Sequence, residues 1–137
     1  MLVVLPVKQK CIKLMQMSRS KQKGTLAETA VVEYLKTFWN RVERRALSGK
    51  FDKGDIAGVP YTTLEVKNHK SYKFPEWMSE TEEERTNAGT QYGILVVKPN
   101  KVGLTKVGKW WAVLPLEQIA GLLAELERLR ASKVIKD

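Results

Sequence analysis

Four consecutive apolar residues, Ile94, Leu95, Val96 and Val97, constrain the fold more than any other segment. A strand with one face in water alternates apolar and polar residues, whereas an unbroken run asks for cover on both faces. The segment 92–98 therefore predicts a central buried strand, and the chain must supply helices for both sides of its sheet. From Thr25 to about Phe38, Leu26, Ala27, Ala30, Val31, Tyr34, Leu35 and Phe38 recur at helical spacing. A second helix is predicted from Pro75 to Ala88, with proline near its start and Gly89 past its end. A closing helix is predicted from Pro115 to about Ser132. Its apolar residues Leu116, Ile119, Leu122, Leu123, Leu126 and Leu129 make a broad surface. Core packing is expected to absorb most of that surface, and a dimer contact the excess. Further strands are expected at 39–46, 55–59, 62–67 and 109–114. The order predicts an α/β domain, a mixed five-stranded sheet with helices on both faces. Trp110 and Trp111 alternate across the last strand, so one of them belongs to the core.

The chain has 137 residues, which suits one domain with a real core. Residues 1–24 read as a basic arm or extension and 25–137 as the folded domain. Met17 offers a second initiation site. Cys11 is the only cysteine, which excludes a disulfide or a cysteine zinc site within one chain and makes a reducing cytoplasm the expected compartment. No apolar run approaches the roughly 20 residues that span a bilayer, so no membrane partner of that kind is expected. The net charge of +9 suits nucleic acid, an acidic membrane surface or an acidic protein. Lys8, Lys10, Lys13, Arg19, Lys21 and Lys23 precede residue 25 with no acid among them, and Lys98, Lys101, Lys106 and Lys109 form a second acid-free stretch. Between them lies an acidic cluster at Glu76, Glu80, Glu82, Glu83 and Glu84. Each run alone is an ordinary solvated surface. Together they suit a polyanion that can share a metal.

The turn signal Gly58-Val59-Pro60-Tyr61 separates two of the expected strands. Alternation puts Glu65, Lys67 and Thr63 on one face of the second strand, with Leu64 and Val66 on the other. A hairpin centred near Pro60 brings Asp55 roughly opposite Glu65. Two carboxylates about 4 Å apart repel by roughly 4 kcal/mol at an effective dielectric near 20. A divalent cation between them would reverse the sign. Lys67 could instead simply neutralise Glu65. Glu28 falls at the edge of the first helix's apolar face, where a carboxylate needs a partner. Thr25-Leu26-Ala27-Glu28 also matches a capping box, and alone the cap is the simpler role. Asp52 is a second candidate ligand or a loop-shaping residue, and His69, the only histidine, an exposed loop residue near the same strand.

As an ordered set these segments resemble the PD-(D/E)XK nuclease superfamily, most closely its Holliday junction resolvase-like branch of archaea and phages. The matching residues are Lys23-Gly24-Thr25-Leu26-Ala27-Glu28, Lys53-Gly54-Asp55-Ile56 and Leu64-Glu65-Val66-Lys67-Asn68, followed by Asn87-Ala88-Gly89-Thr90-Gln91-Tyr92-Gly93. The resemblance covers about residues 19–115. It implies a restriction endonuclease-like core and a Mg²⁺-dependent deoxyribonuclease, with Mn²⁺ as substitute and no small-molecule cofactor. Asp55, Glu65 and the main-chain carbonyl of Val66 would bind the metal, and Glu28 would complete the site directly or through water. Lys67 would orient the attacking water and steady charge on the phosphate. Lys21, Lys23, Ser48, Lys53 and Lys70 would contact DNA, and the enzyme would act on branched DNA as a homodimer. Thr29 departs from the junction-resolving branch, where arginine often follows the helix glutamate. Leu95, four residues after Gln91, departs from the Gln-x-x-x-Tyr element of the exonuclease branch. A restriction-type or flap endonuclease of the same superfamily, or a non-catalytic nucleic-acid-binding protein, are the alternatives.

Overall fold

The computed structural model describes residues 18–45 and 51–136. Helix α1 spans Arg19–Leu35. It begins there because the Ser18 hydroxyl accepts a hydrogen bond from the Lys21 N–H at 3.3 Å, satisfying a donor the first turn leaves without a partner. The start lies ahead of the expected Thr25. The expected boundary between residues 24 and 25 therefore falls inside a helix, and Thr25–Glu28 is not a capping box. Ala27, Val31 and Val32 are the buried positions of α1.

The sheet contains β1 (Glu43–Arg44), β2 (Ile56–Ala57), β3 (Thr62–Lys67), β4 (Tyr92–Val97) and β5 (Trp111–Val113), in that spatial order. β1–β2, β2–β3 and β4–β5 are antiparallel, and β3–β4 is parallel. The sheet is thus mixed and five-stranded, and the connection between the parallel pair is helix α2 (Phe74–Ala88), capped by Gly89 at φ +67°. β1 is much shorter than the strand expected over 39–46. Its residues are polar and exposed, and little apolar surface holds them to the sheet. Residues 46–50, and with them Ser48, lie outside the described residues.

The hairpin turn depends on Gly58. Its φ of +95° is strained for any other residue, and a Cβ there would stand 2.4 Å from the Arg41 carbonyl oxygen.

One core lies under α1, where Ala27, Val31 and Val32 meet Val42, Ile56, Leu64, Val66 and Trp110. The other lies under α2, where Trp77 meets Leu95 and Val97. Leu95 and Val97 serve one face and the partly buried Ile94 and Val96 the other, which is why all four are apolar. Trp110 is the core tryptophan. Trp111 is exposed and lies against Tyr72 and Phe74.

Helix α3 (Leu116–Lys136) departs from expectation. Gln118 anchors it, accepting from Gly93 N–H at 2.9 Å and donating to Glu82 Oε2 at 3.3 Å. Ile119 and Leu122 are half-buried, but Leu123 is 59% exposed and Leu129 63%, with Leu116, Leu126 and Val134 also exposed. Core packing does not account for this apolar surface, because α1 and α2 already cover the two faces of the sheet. Among the described residues no helix is long and apolar enough to cross a membrane.

Candidate active site

β3 sets the site. Leu64 and Val66 enter the core under α1, so strand alternation turns Glu65 and Lys67 toward α2. Glu65 is only 6% exposed as a result. The Ile56–Leu64 pairing brings Asp55 alongside. Asp55 N–H donates to the Leu64 carbonyl at 2.9 Å, and Val66 N–H donates to Asp55 Oδ2 at 2.8 Å. Preceding Asp55, Gly54 has φ +88°, and a Cβ there would lie 2.9 Å from the Leu64 carbonyl oxygen. Only glycine lets the loop lie this close to β3. The expected neighbourhood of Asp55 and Glu65 is present.

Their environment is hostile to negative charge. Burial pushes Asp55 up to about 8, with the charges of Glu65 and Glu28 adding to it and the Val66 N–H opposing. Burial likewise pushes Glu65 up to about 8, reinforced by Glu84 and opposed by Lys67. Lys67 Nζ lies 3.0 Å from Glu65 Oε1 and 2.7 Å from Glu80 Oε2. Burial alone would weaken its hold on a proton, but Glu80 and Glu65 override that and keep it above the ordinary lysine range.

Two glutamates of α2 join the site as individuals that the sequence shows only as part of an acidic run. Glu80 is exposed and bonded to Lys67, and Glu84 is buried beside Glu65. The signal for Glu84 is its spacing. It stands seven residues after Trp77, on the stripe that packs against the sheet.

Glu28 is placed differently from expectation. Its Oε2 accepts from Arg44 Nε at 2.9 Å and from Arg44 Nη2 at 2.6 Å. It acts on Asp55 through its charge. Asp52 shapes the loop, its Oδ1 accepting from Gly54 N–H at 2.9 Å. His69 is exposed, its ring 5.3 Å from that of Trp77. Burial and the charges of Lys67, Lys23 and Lys73 hold it below the ordinary histidine value. Lys23 of α1 thus reaches the neighbourhood of the end of β3. Lys21, Lys53 and Lys70 are exposed.

Among the described residues no three His, Cys, Asp or Glu side chains converge into a ready metal cage. Two carboxylates and a main-chain carbonyl nevertheless suit Mg²⁺, which keeps several waters and is commonly held by one or two carboxylates. Lys67 occupies Glu65 Oε1, whereas Glu65 Oε2 is buried without a donor, and such an all-oxygen pair fits a hard cation.

No family model, no curated protein and no solved structure matches this chain.

Proposed function

We propose that the protein is a Mg²⁺-dependent DNA endonuclease of PD-(D/E)XK type, acting on branched DNA. The observation that carries this is the half-buried Asp55 beside the buried Glu65, with the Lys67 ammonium 3.0 Å from Glu65. A structural sheet would hold apolar or neutral groups there, since drawing two neighbouring carboxylates out of water costs stability. Bound Mg²⁺, with Mn²⁺ as substitute, would supply a hydroxide near neutral pH and neutralise charge on phosphate oxygens. Asp55, Glu65 and the Val66 carbonyl would hold it. The Val66 N–H fixes the Asp55 carboxylate, and Lys67 fixes that of Glu65. Lys67 also stands as a preorganised donor to a phosphate oxygen. Lys23, Lys70 and Lys73 give the end of β3 the positive surroundings a DNA backbone requires.

The partner proposed for α3 is a second copy of the chain. Glu117 and Glu125 lie in the first half of the helix and Glu127 just past its middle, ahead of Arg128, Arg130 and Lys133. Two copies packed antiparallel about a point between Glu127 and Arg128 would bury the exposed leucines and set Glu125 and Glu127 against the partner's arginines. A two-fold pair would present two sites, as symmetric cutting of a four-way junction requires.

Matched linear, flap and four-way DNA substrates incubated with Mg²⁺ test the proposal. Paired symmetric nicks in the four-way junction are expected, and their loss in Asp55→Asn and Glu65→Gln. Equal cutting of linear duplex would remove the branched-DNA specificity. Undiminished cutting by both variants would remove the site assignment.

A further inference from the structure

Tyr72 and Trp111 meet beside the edge strand β5, with ring centroids 5.4 Å apart. Both are exposed, Tyr72 by 36% and Trp111 by 43%. Neither fills a core, because Trp110 serves the one under α1 and Trp77 the one under α2. Both rings are nonetheless held in place. The half-buried Phe74 packs against each of them and against Trp77. The Tyr72 hydroxyl accepts from the Asn100 N–H at 2.8 Å, and the Asn100 side-chain amide donates to the Lys70 carbonyl at 2.9 Å. The two rings meet at 61° and do not stack on each other, so ring surface is left for a third planar group. Lone exposed aromatics are ordinary, but a fixed pair in basic surroundings is a surface with a preference. Lys70, Lys73 and Lys101 are exposed beside Tyr72 and Asn100 in the chain. The stretch 98–115, which carries Trp111, holds four lysines and no acid, and in 68–79 the one acid is Glu76. The pair also has a fixed position relative to the proposed active site. Lys67 pairs with Val97, and Val97 with Trp111. Strands lie about 4.8 Å apart, which puts the Trp111 backbone about 10 Å from that of Lys67, on the face covered by α2.

We propose that Tyr72 and Trp111 form a stacking site for an unpaired base, so that the substrate is DNA with an unpaired nucleotide within a few steps of the scissile phosphate. The proposal rests on the reading of Lys67 and its carboxylates as the cleavage site. A stacked strand rises about 3.4 Å per nucleotide, so roughly three steps cover the distance from Lys67 to the rings. Aromatic rings accept any base, because every base has a π face, and the lysines meet the phosphates on either side. Within a duplex those faces are covered by neighbouring bases, so the rings select a strand that has left the stack, as it does at a branch point. A second copy of the chain is a poor occupant of this surface. A two-fold contact uses the same patch on both subunits and would set these lysines against one another.

Equilibrium binding of the full chain to DNA in chelator tests this without reference to cleavage. The probes are a flap duplex with aminopurine, a fluorescent adenine analogue, unpaired beside the branch, and a linear duplex with the same base paired. Wild type is expected to bind the flap more tightly and to quench its aminopurine by stacking. Tyr72→Leu and Trp111→Leu, each shown to be folded by circular dichroism, are expected to weaken flap binding about fivefold or more and to lose the quenching, with linear-duplex binding unchanged. Trp111→Phe keeps a ring and is expected to recover most of both. Quenching and flap affinity that survive both leucine variants would overturn the stacking site and leave the nuclease reading in place. An unquenched flap base in wild type would overturn the site without any variant. Equal losses on flap and linear duplex would overturn the selection of an unpaired base. A wild type that binds neither probe would overturn this site and the nuclease reading together.

Discussion

Lys67 Nζ is shared between two carboxylates, 3.0 Å from Glu65 Oε1 and 2.7 Å from Glu80 Oε2. The two partners differ in burial, because Glu65 belongs to the sheet and Glu80 to the exposed side of α2. On the proposed nuclease reading Glu80 is a tether that a phosphate would replace, whereas Glu65 would hold the metal. Lys67→Ala is expected to slow single-turnover cleavage by about 10²–10³-fold, the usual cost of removing one preorganised donor. Glu80→Gln is expected to stay within about threefold of wild type, since an exposed ion pair is weak. Equal losses in both variants would mean that the clamp, and not the lysine alone, carries the effect.

The acids of the site predict an unusual pH dependence. Asp55 and Glu65 are both raised to about 8 in the folded protein, against about 4 in the unfolded chain. Between those limits the folded state binds more protons than the unfolded state, so stability falls as pH rises. Thermal melting in chelator should give a lower Tm at pH 8.5 than at pH 6. Added Mg²⁺ should raise Tm more at pH 8.5, where fewer protons compete for the carboxylates. A Tm that climbs from pH 6 to 8.5 without metal would contradict the buried-pair assignment.

The same repulsion makes Asp55→Asn informative. An asparagine amide oxygen can still accept from the Val66 N–H, while the like charge facing Glu65 disappears. The variant is expected to melt above wild type at pH 8 in chelator and to show no cleavage. A lower Tm together with lost activity would point to simple misfolding.

Much of this was legible in the chain, for definable reasons. Unbroken apolarity at Ile94–Val97 reports two covered faces, and the structure covers both. The spacing of Gly58 from Asp55 and Glu65 sets a hairpin, and with it their neighbourhood. What local pattern does not encode is competition between partners. Glu28 is three residues from Thr25, the spacing of a cap, yet Ser18 already starts the helix and Arg44, sixteen positions away, takes the carboxylate. Glu84 looks like one more acid in a run unless its spacing from Trp77 is weighed, and the packing of α2 on β3 buries it. Helical periodicity in α3 is genuine, but periodicity does not say whether the apolar stripe meets its own core.

The turn that delivers Asp55 can be broken at one atom. In Gly58→Ala the new methyl would collide with the Arg41 carbonyl oxygen at 2.4 Å, and φ +95° is strained for alanine. Strain of this kind costs on the order of 1–3 kcal/mol before the clash is counted. Chemical denaturation should show a loss of at least about 2 kcal/mol with an unchanged m-value. Gly103→Ala, where an added Cβ meets nothing within 4 Å and φ is not positive, is the control and should fall within about 0.5 kcal/mol of wild type.

The leucines of α3 separate a partner surface from a misassigned core. Leu123, Leu126 and Leu129 are exposed, so in an isolated chain replacing them should change stability little. If two copies pair through α3, the same residues become the centre of an interface, where one charge among buried leucines is costly. Leu126→Glu is therefore expected to convert a dimer into a folded monomer, read as a halved mass in light scattering with an unchanged circular dichroism spectrum. Antiparallel pairing centred between Glu127 and Arg128 makes a further demand, because Glu125 would then face the partner's Arg130 and Glu127 the partner's Arg128. Replacing both glutamates by lysine should weaken the dimer, and replacing Arg128 and Arg130 by glutamate in that same variant should restore it, since each acid would again meet a base. Restoration is the decisive result: loss of a hydrophobic contact alone cannot be rescued by exchanging charges. A wild-type chain that stays monomeric at every concentration used in the light scattering would leave α3 without this role.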